Sequence, residues 1–599
     1  MIVKMKQVTI LGLKQHTETL IDQLQTTGLV HITPVTPSQS SSLEHITDKI
    51  FLTETALQII KHKNTIQLKP DNISKTVEQI FKTSETLDTT KDTLGTLELE
   101  KVRLSFLENF DPHDIGELEK KGIFIDLYEI PQKKFPSGKI HLHNTICQYI
   151  GDSTGNRHVF AIVSYKEKEN IGLKKFELPQ ITLQELQIKI EHSRKEIQRL
   201  KAVIDQASHY YMSISSYLEE LKSRRDFELV RSGMGENEEI VYLRGFCSIN
   251  DIAMLENSAK KNRWGILIED PPKGSVPPTL IQNPRWVQII DPVFKLLNTI
   301  PGYNELDISA VFLIFFSIFF GMLIGDAGYG VIFLAATALV QIKLGKKIRQ
   351  KSPFFLMYVL STVTIIWGTI TGNWFGIIYL SEVMPFKFFV IQDLNVYKIE
   401  TQRLFMSISF YIAAIQLSIA HFMVISRNIC WSNLLVNIGW IFMIWVMFFI
   451  AQNQVLGKSF PWFFVYLAIT AIILISVFTF LNRPLQKSIP EILISDILLA
   501  TINTFADTIS YIRLFAVGLA TLAVAQSFNE IAISIGFGNI LSGLGAALIL
   551  IAGHALNISL AIMAVIVHGI RLNMLEFSSH VGNTWTGYKY NPFRKKTVT

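Results

Sequence analysis

The sequence has few cysteines and none of the common catalytic or metal-binding motifs. Its three cysteines, Cys147, Cys247 and Cys430, are far apart and form no CxxC pair. This spacing excludes a cysteine-based metal site and a disulfide framework, and it is typical of a reducing compartment for the soluble part. There is no HExxH sequence and no catalytic-triad signature. The nearest match to a phosphate-binding loop, at Lys458, has Gln452 where the motif needs glycine. We therefore expect no ATP site, no metal and no cofactor on this chain.

Two further features of the sequence, the lack of a signal peptide and the position of the basic residues, limit where the protein acts. The N-terminal stretch MIVKMKQVTILGL alternates loosely like a strand and has neither an apolar core segment nor a cleavage site, so no signal peptide is expected. The net charge of +6 suggests an anionic partner. However, the basic residues of the second half lie in loops beside apolar runs, which is typical of membrane proteins and not of nucleic-acid binding.

Charged residues make up only 18% of the chain, and they are unevenly distributed. About the first 300 residues are charged and helix-prone, whereas the remainder consists mainly of long apolar runs. We predict a cytoplasmic arm at 1–300, a membrane domain at 301–580 and a basic cytoplasmic tail at 581–599.

The arm contains a long heptad pattern. Apolar residues alternate spacings of three and four from Leu183 to Leu221, which predicts a coiled-coil helix at about 181–232. A lone helix cannot bury such a seam, so we expect the helical region at about 42–110 to be its antiparallel partner within the chain. A homodimeric coiled coil is the alternative. Small α/β lobes are predicted at about 1–40, 111–180 and 236–270, and a proline-rich linker begins at Pro271.

The second half predicts eight membrane spans. They are Ile308–Ile324, Tyr329–Ile342, Phe354–Leu380, Leu404–Ile425, Leu434–Ile450, Trp462–Leu481, Glu491–Phe528 and Ile540–Phe577. The sequence GDAGYG, ending at Gly330, predicts a tight hairpin between the first two spans. The fold is therefore mainly α: an antiparallel coiled-coil stalk with α/β lobes, followed by eight spans of which the last two are long and tilted.

Loop charges agree with this count. Lysine and arginine collect after the second, fourth, sixth and eighth spans, for example at Lys343, Arg427, Arg483 and Arg594, and are fewer on the opposite side. Because cytoplasmic loops carry the excess of basic residues, both termini are predicted to be cytoplasmic.

The seventh span carries a single strong cation, Arg513, and no other lysine or arginine occurs between Ser488 and Ile570. A guanidinium stays charged in the bilayer, so such a residue indicates function. It shares a helical stripe with small residues, and the eighth span repeats the pattern with His568 and Arg571. The stripes comprise Ala516, Ala520, Ala523 and Ser527 in the seventh span, and Ala561 and Ala564 in the eighth. A purely structural alternative is that Arg513 neutralises Asp507 or another buried acid, with His568 and Arg571 as interfacial anchors.

Several ordered motifs resemble subunit a, or subunit I in prokaryotes, of V-type and V/A-type rotary ATPases, in the bacterial form. They are YNELD from Tyr303, FFSIFFGMLIGDAGYG ending at Gly330, WGTITGNWFG from Trp367, YIRLFAVGLA around Arg513 and VHGIRLNMLEF around Arg571. The resemblance implies a stator subunit in a bacterial plasma membrane. Its partners would be membrane lipid, rotor-ring subunits that each carry a membrane carboxylate, and peripheral-stalk subunits at the cytoplasmic lobes.

The resemblance also implies residue roles. Arg513 matches the essential arginine of the family and Arg571 its supporting arginine. The eukaryotic pattern has an acidic residue ten positions before the second arginine, where this chain has Ala561. The ion half-channels must then use other polar residues, for which the candidates are Gln526, Glu530, His554, His568 and Glu576.

Two other function classes compete with the rotary stator, and the transported ion, H⁺ or Na⁺, is left open. A secondary transporter with a regulatory coiled coil would use Arg513 to bind an anionic substrate, but the two halves of the membrane region do not look alike. An inactive structural tether is the third possibility, against which the presence of both arginines counts.

Overall fold

The computed structural model describes residues 1–36, 41–60, 68–107, 111–131, 145–153, 157–165, 174–176, 181–272, 274–345, 348, 351–384, 386–427, 429–481, 497–536 and 538–595. Its contacts divide the chain into two compact units, which are described separately. We call Ile10–Gly28, Ile32–Arg244 and Phe593–Thr599 the charged unit, and Met1–Thr9, Leu29–His31 and Gly245–Pro592 the apolar unit. The domain limits predicted from the sequence, with a boundary at residue 300, stay predictions.

Helices dominate the described residues, which confirms the mainly α fold class. The α-helices are α1 (Thr17–Thr27), α2 (Ser41–Ile59), α3 (Ile73–Leu104), α4 (Pro112–Lys120), α5 (Leu183–Ala207), α6 (Tyr211–Ser232), α7 (Ile252–Asn262), α8 (Asp291–Leu297), α9 (Ser309–Ile324), α10 (Ala327–Leu344), α11 (Ser352–Thr371), α12 (Phe386–Phe389), α13 (Ile399–Arg427), α14 (Trp431–Leu456), α15 (Phe464–Leu481), α16 (Ala500–Ser510), α17 (Ile512–Ile535), α18 (Ile540–Ala564) and α19 (Ser578–Val581). The strands are β1 (Met5–Leu13), β2 (Val30–Thr33), β3 (Ile123–Pro131), β4 (Thr145–Ser153), β5 (Arg157–Tyr165), β6 (Lys174–Phe176), β7 (Gly235–Asn237), β8 (Ile240–Ser248) and β9 (Gly265–Glu269).

In the charged unit, the long heptad pattern forms α5 and α6. A capping box starts α5: the Thr182 hydroxyl accepts from the Glu185 N–H, and the Glu185 carboxylate accepts from the Thr182 N–H. The seam is interrupted by a 3₁₀ turn at Ser208–Tyr210, so it belongs to two helices and not one. Helix α3 packs on α5, and α2 packs on α6. The chain thus runs out through α2 and α3 and returns antiparallel through α5 and α6, and it covers the seam with its own residues.

Two small sheets accompany the helices. In the charged unit, β4, β5, β3 and β6 are neighbours in that order, and β3 pairs antiparallel with β5 in a register that places Leu127 opposite Ala161. Leu127 and Ala161 are buried against Leu186 and Ile190 of α5. The other sheet has the order β2, β8, β1, β9, with β7 paired to β8.

The apolar unit contains seven helical segments that are long and apolar enough to cross a membrane, counted over the described residues by length and composition. The first predicted span, Ile308–Ile324, corresponds to α9, which has only 16 residues. At ~1.5 Å per residue it reaches ~24 Å, less than the ~30 Å of a bilayer core. The structure therefore has seven full-length candidate spans and, for the first predicted span, one shorter apolar helix, and the count of eight membrane crossings stays a prediction. Phenylalanines at Phe312, Phe316 and Phe319 bury this helix in the core of the unit.

The ends of α9 and α11 are set by glycine. Gly325 adopts the left-handed conformation (φ 64°) after α9, and Asp326 then caps α10 by accepting from the Gly328 N–H at 2.8 Å, which confirms the predicted hairpin. Helix α11 ends at Thr371 because Gly372 is also left-handed (φ 77°). The predicted third span, which continued to Leu380, is therefore wrong at its C-terminal end.

The last two spans are long, as predicted. Residues Ile497–Ile535 form one span of 39 residues, in which α16 and α17 meet at Tyr511, and Ile540–Val581 form one of 42 residues. The predicted start of the seventh span at Glu491 lies outside the described residues. The final span departs from a regular α-helix, because π-helical turns occupy Val565–Gly569 and Leu572–Phe577. Such turns contain one residue more than an α turn, so they shift every later side chain around the helix.

Candidate functional site

Arg513 lies in the first turn of α17, close to the joint with α16. Its Nε donates to the Ser510 carbonyl oxygen at 2.9 Å, and its Nη2 donates to Glu576 Oε1 at 2.8 Å. The side chain is 23% exposed. The guanidinium is thus held in place from one side while part of it stays accessible.

Glu576 is the acid that pairs with this cation. Its side chain is only 4% exposed, and the same Oε1 lies 3.6 Å from Arg571 Nε. The other oxygen, Oε2, is buried and has no hydrogen-bond partner among the described residues. The structure therefore contains the buried acid that the structural alternative for Arg513 required, but it is Glu576 and not Asp507. The Glu576 carboxylate thus makes ion-pair contacts with both arginines through one oxygen atom.

The π turn explains how Glu576 comes within reach of Arg571. In a regular α-helix, side chains five positions apart project from different sides. The i→i+5 bonding of the π turn at Leu572–Phe577 brings these two side chains to the same side. A second π turn, Val565–Gly569, lies between Ala561 and Arg571 and breaks the predicted small-residue stripe of the last span: Ala561 is fully buried, whereas the Arg571 side chain is 55% exposed.

By contrast, the small-residue stripe that follows Arg513 along α17 is exposed. Its four small residues are all exposed: Ala516, Ala520, Ala523 and Ser527. The opposite side of α17 packs closely on α9, because a Cβ added to Gly518 would lie 2.6 Å from the Met322 carbonyl oxygen. Helix α17 therefore presents an uncovered face of small residues next to an accessible cation, a surface on which another helix can approach closely.

The other candidates from the sequence fall into different surroundings. His554 belongs to a polar cluster: one ring nitrogen lies 2.7 Å from the Tyr329 hydroxyl and the other lies 3.1 Å from Asn529 Oδ1. In the described part of the chain, the exposed Glu530 and the half-buried Gln526 make no hydrogen bond to Arg513 or Glu576. His568 is half-buried, and its Nδ1 has no hydrogen-bond partner among the described residues. The structure joins Glu576 to the two arginines by ion pairs and places His568 near both, whereas Gln526, Glu530 and His554 make no contact with them among the described residues.

A second polar chain was not predicted. His580 Nε2 lies 3.1 Å from Asp507 Oδ2, and His580 Nδ1 lies 3.2 Å from His421 Nε2. His421 Nδ1 in turn lies 2.9 Å from Asn437 Oδ1. The available signal was a histidine and an asparagine inside otherwise apolar predicted spans, which is a functional indication in a membrane protein.

A further set of polar side chains joins α13, the joint of α16 and α17, and the last span. Gln416 donates to Asn573 Oδ1 at 2.9 Å and accepts from the Tyr511 hydroxyl at 2.9 Å, and all three side chains are fully buried. Among the described residues, no group of three or more His, Cys, Asp or Glu side chains has a geometry that could hold a metal ion.

Comparison of the sequence with known proteins assigns the chain to a family. The chain is 30% identical over 625 residues to the V-type ATP synthase subunit I of Borreliella burgdorferi, an alignment that covers 99% of this chain and 100% of that protein. The chain belongs to the V-type ATP synthase subunit I family. It is also 29% identical over 635 residues to V-type ATP synthase subunit I 1 of Treponema pallidum, with 100% of both chains covered. The A-type ATP synthase subunit I of Methanocaldococcus jannaschii is 24% identical over 596 residues, covering 88% of this chain and 82% of that protein.

Other comparisons add little to the subunit I assignment. No protein-family model matches the chain. A solved structure described as the cytoplasmic N-terminal domain of subunit I, homolog of subunit a, of V-ATPase aligns with 44% of this chain and 99% of that one. The identity is 12% and the TM-score 0.24, which is too low to establish a shared fold. The full-length relatives are sufficient for the assignment. This subunit I protein is a membrane subunit of a rotary ATPase. They give no support to the secondary-transporter alternative.

Proposed function

We propose that this subunit I chain is the stator that forms the ion half-channels against the rotor ring and links them to the peripheral stalks. The single observation that carries the proposal is Arg513, a partly accessible cation at the start of an uncovered small-residue face. A rotor helix with a membrane carboxylate has the shape to slide along this face and the charge to meet the arginine. The same proposal places the protein in the bacterial plasma membrane with both termini cytoplasmic, which the loop charges favour.

In this mechanism Arg513 exchanges partners. When no rotor carboxylate is present, the guanidinium pairs with Glu576. An arriving rotor carboxylate gives up its ion, because a cation nearby stabilises the ionised carboxylate, and the ion leaves into one half-channel. Once past Arg513, the carboxylate takes an ion from the other half-channel. The transmembrane potential contributes ~2.3 kcal/mol per charge per 100 mV to this cycle.

Glu576 and Arg571 support the exchange. An unpaired guanidinium inside the bundle would be costly whenever the rotor carboxylate is away. Glu576 offsets that cost, and its second contact, with the more exposed Arg571, holds the carboxylate in place between passages. His568, whose buried ring nitrogen Nδ1 has no hydrogen-bond partner in the part of the chain that the structure describes, is a candidate to receive the ion near the two arginines. On the opposite side of the membrane, His554, Gln526 and Glu530 are the half-channel candidates, and His554 is supported by its contacts with Tyr329 and Asn529.

The charged unit is proposed to carry the stalk attachments. Its helices α2, α3, α5 and α6 form an antiparallel arm and its four-stranded sheet packs on α5, which gives a rigid element with a compact lobe. A stator must transmit a reaction force out of the membrane, and an arm with a buried apolar seam suits that task.

The test is ion transport by the assembled complex with Arg513 changed. We expect Arg513→Ala to abolish ATP-driven ion transport in reconstituted vesicles, and Arg513→Lys to be strongly impaired, since lysine lacks the planar fork and loses its proton when buried. Arg427→Ala, an exposed arginine at the end of α13, is the matched control and should transport normally. Subunit content on native gels shows assembly. Transport by assembled Arg513→Ala at the parental rate would refute the proposal.

A further inference from the structure

Gln416 of α13 is hydrogen-bonded to both segments that form the arginine site. Its Oε1 accepts from the Tyr511 hydroxyl at 2.9 Å, and its Nε2 donates to Asn573 Oδ1 at 2.9 Å. All three side chains are fully buried. Tyr511 precedes Arg513 by two residues, and Asn573 precedes Glu576 by three. Gln416 therefore connects, inside the core, the segment that carries the cation to the segment that carries the acid.

The directions of these hydrogen bonds follow from one fixed end. Asn573 Nδ2 donates to the Gly569 carbonyl oxygen at 3.2 Å, and a carbonyl oxygen can only accept. Asn573 Oδ1 must therefore face Gln416, so the glutamine nitrogen donates to it and the glutamine oxygen accepts from Tyr511. Every bond then has one hydrogen, and none of the groups carries a charge. A glutamine suits the middle position because its amide donates at one atom and accepts at the other.

On the α17 side, Tyr511 belongs to the main chain that holds Arg513. The Ser510 carbonyl oxygen, which accepts from Arg513 Nε at 2.9 Å, is part of the peptide bond between Ser510 and Tyr511. The Tyr511 ring also packs edge-on against Phe319 of α9, with the ring centroids 5.9 Å apart. A displacement of Tyr511 would therefore move the acceptor that orients the guanidinium.

On the side of the last span, Asn573 lies between Arg571 and Glu576 in the second π turn. Its bond to Gly569, the last residue of the first π turn, spans Arg571 and ties the two turns together. Helix α13, which carries Gln416, packs on both α17 and the second π turn. Asn573 therefore anchors to α13 the turn on which the position of Glu576 depends.

We propose that Gln416 is a positioning residue of the stator: with Tyr511 and Asn573, it keeps the segments of Arg513 and Glu576 in place while the ion pair between them opens and closes. The inference rests on the proposed function, in which a rotor carboxylate takes Arg513 from Glu576 at every passage. During that exchange the ion pair cannot hold the two segments together. The three neutral side chains can, because they carry no net charge for the rotor carboxylate to attract and are closed to water.

The test uses the complete ATPase complex in vesicles. Ion transport is measured as the ATP-driven membrane potential, which transport of either H⁺ or Na⁺ generates, and native gels show assembly. Gln416→Leu keeps a similar volume and removes both bonds. We expect it to slow transport on the order of 100-fold, the effect of a ~1 Å misplacement of reacting groups. Tyr511→Phe removes one of the two bonds and should slow transport less.

Each substitution has a matched control outside this set of three residues. Gln452 is also a buried glutamine that joins two helices, since it donates to Ser407 Oγ of α13 at 2.9 Å. Tyr358 also donates its hydroxyl to a glutamine side chain, at Gln341 Oε1. Gln452→Leu and Tyr358→Phe should both transport at the parental rate, because neither bond leads to a segment that carries the ion pair.

A triple variant distinguishes positioning from a purely structural role. Gln416→Leu combined with Tyr511→Phe and Asn573→Leu replaces the whole set by apolar side chains of similar size. No side chain of the set is then left as a buried polar group without a partner, so the variant should assemble. We expect its transport to stay slow, because the directional bonds are gone. Parental transport by the assembled triple variant would show that the set serves folding alone and would overturn the proposal.

Structures of the unsubstituted complex in its successive rotary states provide a measurement that requires no variant. The bonds of Gln416 to Tyr511 and Asn573 should persist in the state in which Arg513 has left Glu576. Opening of either bond there, or an ion pair that never opens, would overturn the proposal. Parental transport by assembled Gln416→Leu, with Arg513→Ala inactive, also overturns it and leaves the stator function standing. Transport by Arg513→Ala overturns the stator function itself.

Discussion

Replacing Glu576 by glutamine should destabilise the apolar unit by about 3 kcal/mol. At ~4 Å and an effective dielectric constant of ~20, two unit charges attract by about 4 kcal/mol. Glu576 is 4% exposed, but Arg513 is 23% exposed and so partly screened by water. Removing one partner of a buried pair costs ~3–5 kcal/mol, and the screening argues for the lower end of that range.

The second arginine provides an internal comparison. Arg571 is 55% exposed and lies 3.6 Å from the same carboxylate oxygen. Exposed ion pairs contribute ~0.2–1 kcal/mol, so Arg571→Gln should cost less than about 1 kcal/mol. Arg513→Gln should cost nearly as much as Glu576→Gln, because each leaves the other charge without its closest partner.

The assay is unfolding of the purified subunit in detergent micelles by increasing amounts of a denaturing detergent, followed by tryptophan fluorescence. A double-mutant cycle of Arg513→Gln and Glu576→Gln should give a coupling free energy of about 2–3 kcal/mol. Glu382→Gln, at an exposed position, is the control and should stay within ~0.5 kcal/mol of the parent. Additive effects of the two substitutions, or an unchanged stability of Glu576→Gln, would refute the reasoning.

Three further predictions concern groups outside the spans, one acid and two cysteines. Burial raises the pKa of Glu305, but hydrogen bonds from Thr584, Gly302 and Trp585 outweigh burial and hold it below its usual value. The carboxylate therefore stabilises the fold above its unfolded pKa of ~4.3, and this contribution is lost as the pH falls from there through the lower pKa of the folded state. Thermal unfolding should show a steeper loss of stability on acidification for the parent than for Glu305→Gln, and parallel curves would contradict this. Burial raises the pKa of Cys247 to about 12, so a membrane-impermeant maleimide at about pH 8 should leave this buried thiol unlabelled. The exposed Cys430 should be labelled in inverted vesicles only, because it follows the fourth span on the cytoplasmic side, and labelling in intact cells would contradict the predicted topology.

The sequence was sufficient to predict Arg513 and its open face, because both are local properties. When a helix is regular, the folded structure keeps what the sequence shows. A cation within a long apolar run stays within the span, and small residues at spacings of three and four lie on one face. The antiparallel pairing of the arm was also predictable, since a heptad seam requires an apolar partner and the chain contains one candidate.

The partner of Arg513 could not be assigned from the sequence. On a regular helical wheel, Glu576 projects away from Arg571, and only the π turn brings the two together. Since π turns depend on packing around the helix and not on a sequence signal, the stripe through Ala561 was extended into a region where it does not hold. The Asp507–His580–His421–Asn437 chain was missed for a different reason: His421 and Asn437 are single polar residues in spans whose average hydropathy is high.

The close approach of α17 to α9 has a mechanical consequence. Every passing rotor subunit would push sideways on α17 at the level of Arg513. At Gly518 no side chain separates the two helices, so the main chain of α17 bears directly on the Met322 carbonyl of α9. Side chains yield by changing rotamer, whereas two helical backbones in contact yield only by bending. Under the proposed function, the load would therefore pass into the phenylalanine-rich core without first being absorbed by flexible side chains, and the arginine would keep its distance from the rotor while torque is applied.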